Sequence, residues 1–105
     1  MVKYANTLEE FNALVAASNE KLLVVDFTAS WCPPCRMIAP IFEQMAKENP
    51  DVTFIKVDVD EGQDVAAQAG VTCMPTFMFY KDGKKVEQLE GADEATLKAN
   101  VAKLK

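Results

Sequence analysis

The sequence predicts an α/β protein, a three-layer sandwich in which four helices flank a central five-stranded mixed sheet. Three observations predict it. Apolar runs of strand character alternate with segments of helical periodicity along most of the chain, which implies parallel pairing. The run "LLVVDF" at 22–27 is apolar apart from its aspartate, as in a strand buried on both faces. Two later runs flank Asp82-Gly83, a type I′ hairpin signal that adds an antiparallel pair.

Each element has its own justification. "VKYA" (2–5) reads as a short edge strand. "NTLEEFNALVAAS" reads as a helix, since Thr7 and Glu10 fit a capping box and Leu8, Phe11, Leu14 and Val15 share one face. "KLLVVDFTA" is the central strand. "CPPCRMIAPIFEQMAKEN" is a second helix with Ile38, Ile41, Phe42 and Met45 at helical spacing. Pro40 interrupts it, which costs one i→i−4 bond and on the order of 3 kcal/mol, and predicts a kink. "VTFIKVDVD" (52–60) is a third strand. "GQDVAAQAG" is a short helix closed by Gly70. "TFMFY" and "KVEQLEG" are the hairpin strands joined by "KDGK", and "DEATLKANVAKLK" is the last helix, with Leu97, Val101 and Leu104 inward.

The 105 residues fit a single domain spanning 1–105, with enough apolar sequence for a core that needs no staple. A net charge of -5 argues against nucleic acid as a partner, and Lys81, Lys84, Lys85 and Lys98 are too scattered to form a basic stripe. No secretory h-region opens the chain and no run is long enough to span a membrane, so a cytoplasmic, reducing setting is expected. An odd count of 3 cysteines does not suit a secreted disulfide framework.

Cys32 and Cys35 bracket two prolines in "WCPPC". A lone C-x-x-C is half of a tetrahedral zinc site. The chain has no histidine and only Cys73 besides, so zinc would need carboxylates or a second chain, and no metal is expected. A structural disulfide closing so short a loop removes little chain entropy. A reactive pair remains. Cys32 falls where the second helix would have its N-cap, with Pro33 at N1, and free amides there lower a thiol's pKa. Pro34 at N2 has no N–H, which leaves the Cys35 amide as the first donor to the Cys32 sulfur. On this reading Cys32 is the exposed nucleophile and Cys35 the buried resolving thiol.

"DFTASWCPPC", with "MPTF" at 74–77 and "KDGK…EGA" at 81–92, resembles the thioredoxin family along the whole chain. The resemblance implies that family's fold, a redox-active Cys32–Cys35 disulfide, and no bound cofactor. Position by position, it implies Cys32 as the attacking thiol, Cys35 as the resolving thiol, and Asp26 as the buried carboxylate that accepts a proton. It makes Trp31 the flanking tryptophan and Asp60 the aspartate that steadies it. Pro75 becomes a cis-proline facing the disulfide, Met74 offers backbone groups to the substrate chain, and Gly91 lies on the docking rim. One departure is Pro33, where the family most often has glycine. With Pro34 it tunes the turn, and so the redox potential.

Several residues have a second reading. A carboxylate inside a strand buried on both faces is desolvated and its pKa rises, which fits Asp26 as a general base; a strand-end surface carboxylate is the alternative. Lys56, inside "FIKVDV", suits a stem that snorkels to solvent, and by analogy it could instead tune Asp26. Cys73 precedes the docking segment, and is expected to be accessible and to link two chains under oxidation. The expected activity is reduction of protein disulfides by dithiol–disulfide exchange. By resemblance its partners are oxidised client proteins and a thioredoxin reductase fed by NADPH, and the chain itself is expected to be a monomer. An oxidase or isomerase of the same fold, or a non-catalytic docking module, are the competing readings.

Overall fold

The computed structural model describes residues 2–105. The elements are β1 (Lys3–Tyr4), α1 (Leu8–Ala16), β2 (Leu23–Thr28), α2 (Pro33–Glu48), β3 (Thr53–Asp58), α3 (Gln63–Ala69), β4 (Thr76–Lys81), β5 (Lys84–Glu90) and α4 (Glu94–Leu104). They form one five-stranded sheet in the order β1-β3-β2-β4-β5. β1 and β2 run parallel to β3, β4 runs antiparallel to β2, and β5 antiparallel to β4.

β2 is the central strand, and its first five residues are buried, as its unbroken apolar run predicts. Alternate residues feed two cores. Val24 joins Phe54, Phe77 and Phe79 under Ile38, Phe42 and Met45 of α2 and Leu97 and Val101 of α4. Leu23, Val25 and Phe27 join Ile55, Val57 and Met78 under Phe11 of α1 and Val65 of α3. Phe42 is the hinge of the first core, its ring 5.2 Å from Phe54 and 5.7 Å from Phe77. Each such ring contributes about 2 to 3 kcal/mol when fully removed from water.

The parallel pairing that alternating strands and helices imply holds through β3 and fails at β4. β1 already occupies the far edge of β3, so β4 takes the free side of β2, and enters antiparallel. The hairpin follows its sequence signal. Lys81 pairs with Lys84, and Asp82 and Gly83 both have positive φ, at 56° and 75°. A register shift near Phe79 and Tyr80 sets Val86 outside the ladder, with Glu87 opposite Phe79 and Lys85 opposite Tyr80.

Helix ends also follow local chemistry. Thr7 Oγ1 accepts the Glu10 amide at 3.2 Å, but the Glu10 carboxylate accepts a hydrogen bond from the Thr7 hydroxyl rather than from the Thr7 amide, so half of the capping box forms. The first helix ends earlier than its periodicity suggests. Ala17–Asn19 form a 3₁₀ turn in which buried Ser18 donates to Val15 O and accepts the Gly83 amide at 2.9 Å, clamping the hairpin. Gly70 closes α3 with φ 76°, as expected of a C′ glycine. α2 continues through the exposed Pro40 to Glu48.

Candidate functional site

α2 begins where the two cysteines require it to. Cys32 is the N-cap in extended conformation, and Pro33 and Pro34 fill N1 and N2. The Cys35 amide donates to Cys32 Sγ at 3.2 Å, the one N-terminal donor that Pro34 leaves within reach. The helix starts at Pro33 despite the extended bias that a following proline imposes. The first i→i−4 bond of the helix, from the Arg36 amide to Cys32 O, anchors the turn at 3.2 Å.

The two sulfurs are joined as a disulfide, with the Cα atoms 5.2 Å apart. Cys32 departs from its expected exposure. It is 4% exposed and Cys35 2%. In the oxidised state Cys32 packs in one apolar cluster with Cys35, Ala29, Val59 and Met74. The accessible surface belongs to the rim instead, where Pro33, Pro34, Arg36 and Cys73 are exposed. Trp31 is 58% exposed and Met37 74%.

The rim is braced on two sides. Trp31 Nε1 donates to Asp60 Oδ2 at 2.9 Å, fixing the indole beside the disulfide. The Met74–Pro75 bond is cis, Pro75 is buried, and Met74 packs on the disulfide cluster. Gly91, at φ 97°, donates its amide to Pro75 O at 2.9 Å, tying the end of β5 to the cis-proline loop. A side chain at Gly91 would find open space but an unfavourable backbone. Cys73 carries a free, exposed thiol, and its carbonyl accepts the Thr76 hydroxyl at 2.7 Å.

Within β2, Asp26 is 1% exposed and its Oδ1 has no hydrogen-bond partner. Burial raises its pKa to about 7, against the opposing pull of the Lys56 ammonium. Asp26 and Lys56 are register partners on β2 and β3. Lys56 does not snorkel as its place in the sequence suggests. It is 8% exposed, with Nζ 3.5 Å from Glu43 Oε2 and 5.9 Å from the centre of the Tyr4 ring. A cleft of about 140 Å³ reaches both Cys35 and Lys56, between Tyr4, Thr28, Ser30, Arg36 and Asp58.

The sequence foreshadows the Cys32–Cys35 disulfide, its N-cap, the Trp31–Asp60 bond and the cis Met74–Pro75 bond, but not the places of Glu43, Tyr4 and Met37. One signal points to Glu43: a buried lysine needs a carboxylate, and Glu43 borders the apolar stripe of α2. The chemistry available is that of a dithiol–disulfide couple at a helix N-terminus, in a fold that also buries a carboxyl whose pKa desolvation raises to about 7. Among the described residues no three His, Cys, Asp or Glu side chains come together as metal ligands.

Comparison with known proteins agrees with this arrangement. The thioredoxin family model matches residues 2–103. Thioredoxin from Gallus gallus is 49% identical over 104 residues, covering 99% of each chain. Thioredoxin-1 from Schizosaccharomyces pombe is 50% identical over 101 residues, covering 96% of each. The X-ray structure of Fasciola hepatica thioredoxin superposes with a TM-score of 0.94 at 46% identity, over 100% of both chains. The structure of Plasmodium falciparum thioredoxin gives 0.92 at 41% identity, over 99% of this chain and 100% of that one.

Proposed function

This chain belongs to the thioredoxin family, with a cysteine pair suited to dithiol–disulfide redox activity, and we propose that it is a general protein-disulfide reductase. The observation that carries this reading is the Cys32–Cys35 disulfide at the start of a 16-residue helix, with the Cys35 amide aimed at Cys32 Sγ.

In the reduced chain the same amide and the helix dipole favour Cys32 as a thiolate. An oxidised client lays its disulfide segment along Trp31, Met74 and the Gly91 rim, where apolar surface and the Met74 backbone hold it. Cys32 Sγ attacks one client sulfur, the client S–S bond breaks, and the other client sulfur leaves as a thiolate that takes up a proton. The Cys35 thiol then gives its proton to the Asp26 carboxylate. Near neutral pH both forms of a carboxyl titrating at about 7 are present, which suits a group that accepts and later returns a proton. The Cys35 thiolate attacks Cys32 Sγ, the mixed disulfide breaks, and the second client sulfur departs as a thiolate that takes up the proton Asp26 returns. The client gains two electrons and this chain is left as the disulfide.

The cycle closes when an external dithiol reduces Cys32–Cys35. A thioredoxin reductase drawing on NADPH is the proposed donor, with no cofactor held on this chain. The reading also takes the protein to be a cytoplasmic monomer that acts on many clients, with a Cys73-linked dimer forming under oxidation. No helix of the described residues is long and apolar enough to cross a membrane.

Turnover of an oxidised model protein such as insulin tests the assignment. Cys32→Ser abolishes it, whereas Cys35→Ser leaves a stable mixed disulfide through Cys32 that a non-reducing gel resolves. A client trapped by Cys32→Ser instead would reverse the roles, and no turnover by the unsubstituted chain would select a docking module.

A further inference from the structure

Asp26 and Lys56 are the two charged side chains that fold into the interior among the described residues. They share the sheet face that α2 and α4 cover, and stand in register on neighbouring strands. An adjacent carboxylate and ammonium in an apolar interior would normally close on each other. Here Lys56 forms its ion pair with Glu43, and Asp26 Oδ1 is left without a partner.

Glu43 is well placed to hold that ammonium. It lies one residue past Phe42, on the edge of the buried stripe of α2. Its second oxygen, Oε1, accepts the Val2 amide at 3.0 Å, so the carboxylate is fixed at both oxygens. The Tyr4 ring lies on the ammonium from the β1 side. The other charged groups near the cleft are engaged elsewhere. Arg36 donates to Ser30 O at 2.9 Å, and Asp58 Oδ1 accepts the Asp60 and Glu61 amides. From β4 and α4 the same face receives Phe77, Phe79, Leu97 and Val101, which carry no charge.

We propose that Glu43 is a positioning residue of the redox site, engaging the Lys56 ammonium and withholding it from the Asp26 carboxyl. This inference rests on the reading of Asp26 as proton acceptor for Cys35. Removing the Glu43 charge acts on Asp26 in one direction only. It frees Lys56 to turn toward the carboxylate, and it deletes a nearby negative charge; both favour the ionised form of Asp26. Glu43 thereby keeps Asp26 basic enough to take a thiol's proton at neutral pH.

The test follows the Asp26 side-chain carbon by NMR across pH in the oxidised full chain, without substrate. Glu43→Gln keeps an acceptor for the Val2 amide and removes only the charge. Its Asp26 midpoint falls by about 0.5 to 1 pH unit. Lys56→Met raises the midpoint, and in that background Glu43→Gln moves it less than half as far. An unmoved midpoint in Glu43→Gln, or an equal fall with and without Lys56, overturns the inference. The pH profile of client reduction separates it from the reading beneath it. A midpoint that falls while the profile stays in place upholds the Glu43–Lys56 link and removes Asp26 as the proton acceptor.

Discussion

Asp26 and Lys56 face each other across β2 and β3 with their side chains buried, yet the lysine pairs with Glu43 and the aspartate keeps an unpartnered oxygen. A carboxyl so placed is a liability to the fold and, in the proposed mechanism, an asset to the chemistry. Its neutral form suits the apolar core, and its raised pKa brings the change of charge into the working range of a thiol pair.

Stability therefore depends on pH through Asp26. Its folded pKa of about 7 lies above the ordinary 3.8, so its contribution is fully present below pH 4, declines as pH rises toward 7, and is lost above it. Asp26→Asn removes that decline. At pH 7.5 the variant is more stable in urea by roughly 3 to 4 kcal/mol, and near pH 4 the two proteins converge, as about three pKa units imply. The same variant reduces clients more slowly. A variant less stable at pH 7.5, or equally fast, contradicts the assignment.

Pro33 acts by stiffness. It occupies N1, where a missing N–H costs nothing, and its fixed φ holds Cys32 and Cys35 in the helical turn seen in the oxidised chain. Glycine there widens the freedom of the open dithiol by about 0.4 to 1 kcal/mol, which disfavours ring closure. Pro33→Gly keeps fold and turnover but makes the potential less negative by about 10 to 20 mV. An unchanged potential would assign the second proline no role in redox tuning.

Cys73 is exposed on the rim, beside the segment proposed to hold clients. Oxidation of the wild-type chain with peroxide gives a dimer band on a non-reducing gel, and Cys73→Ser eliminates it. Dimer that persists in the variant assigns the linkage to Cys32 or Cys35.

Much of this site could be read from residue order because its causes are local. Cys32 as N-cap, the loss of the Pro34 amide, the Asp82-Gly83 turn and the Gly70 cap each depend on a few adjacent residues. Asp26 was legible because a buried strand leaves its carboxyl little choice. The pairing of Lys56 with Glu43 was not, since it depends on how α2 lies over β3. Nor was the place of β4 beside β2, left to it because β1 fills the far edge of β3, or the Ser18 clamp on the hairpin 65 residues away. The burial of Cys32 was missed because exposure was argued for a free thiol, whereas the structure holds the disulfide.

The redox equilibrium of Cys32–Cys35 with glutathione tests the central claim most directly. A protein-disulfide reductase passes its electrons to glutathione disulfide and comes to rest mostly oxidised, which fixes a potential more negative than that of the glutathione couple. A pair that stays reduced in the same buffer, at a potential of about −120 to −180 mV, would contradict the account and make the chain an oxidase or isomerase.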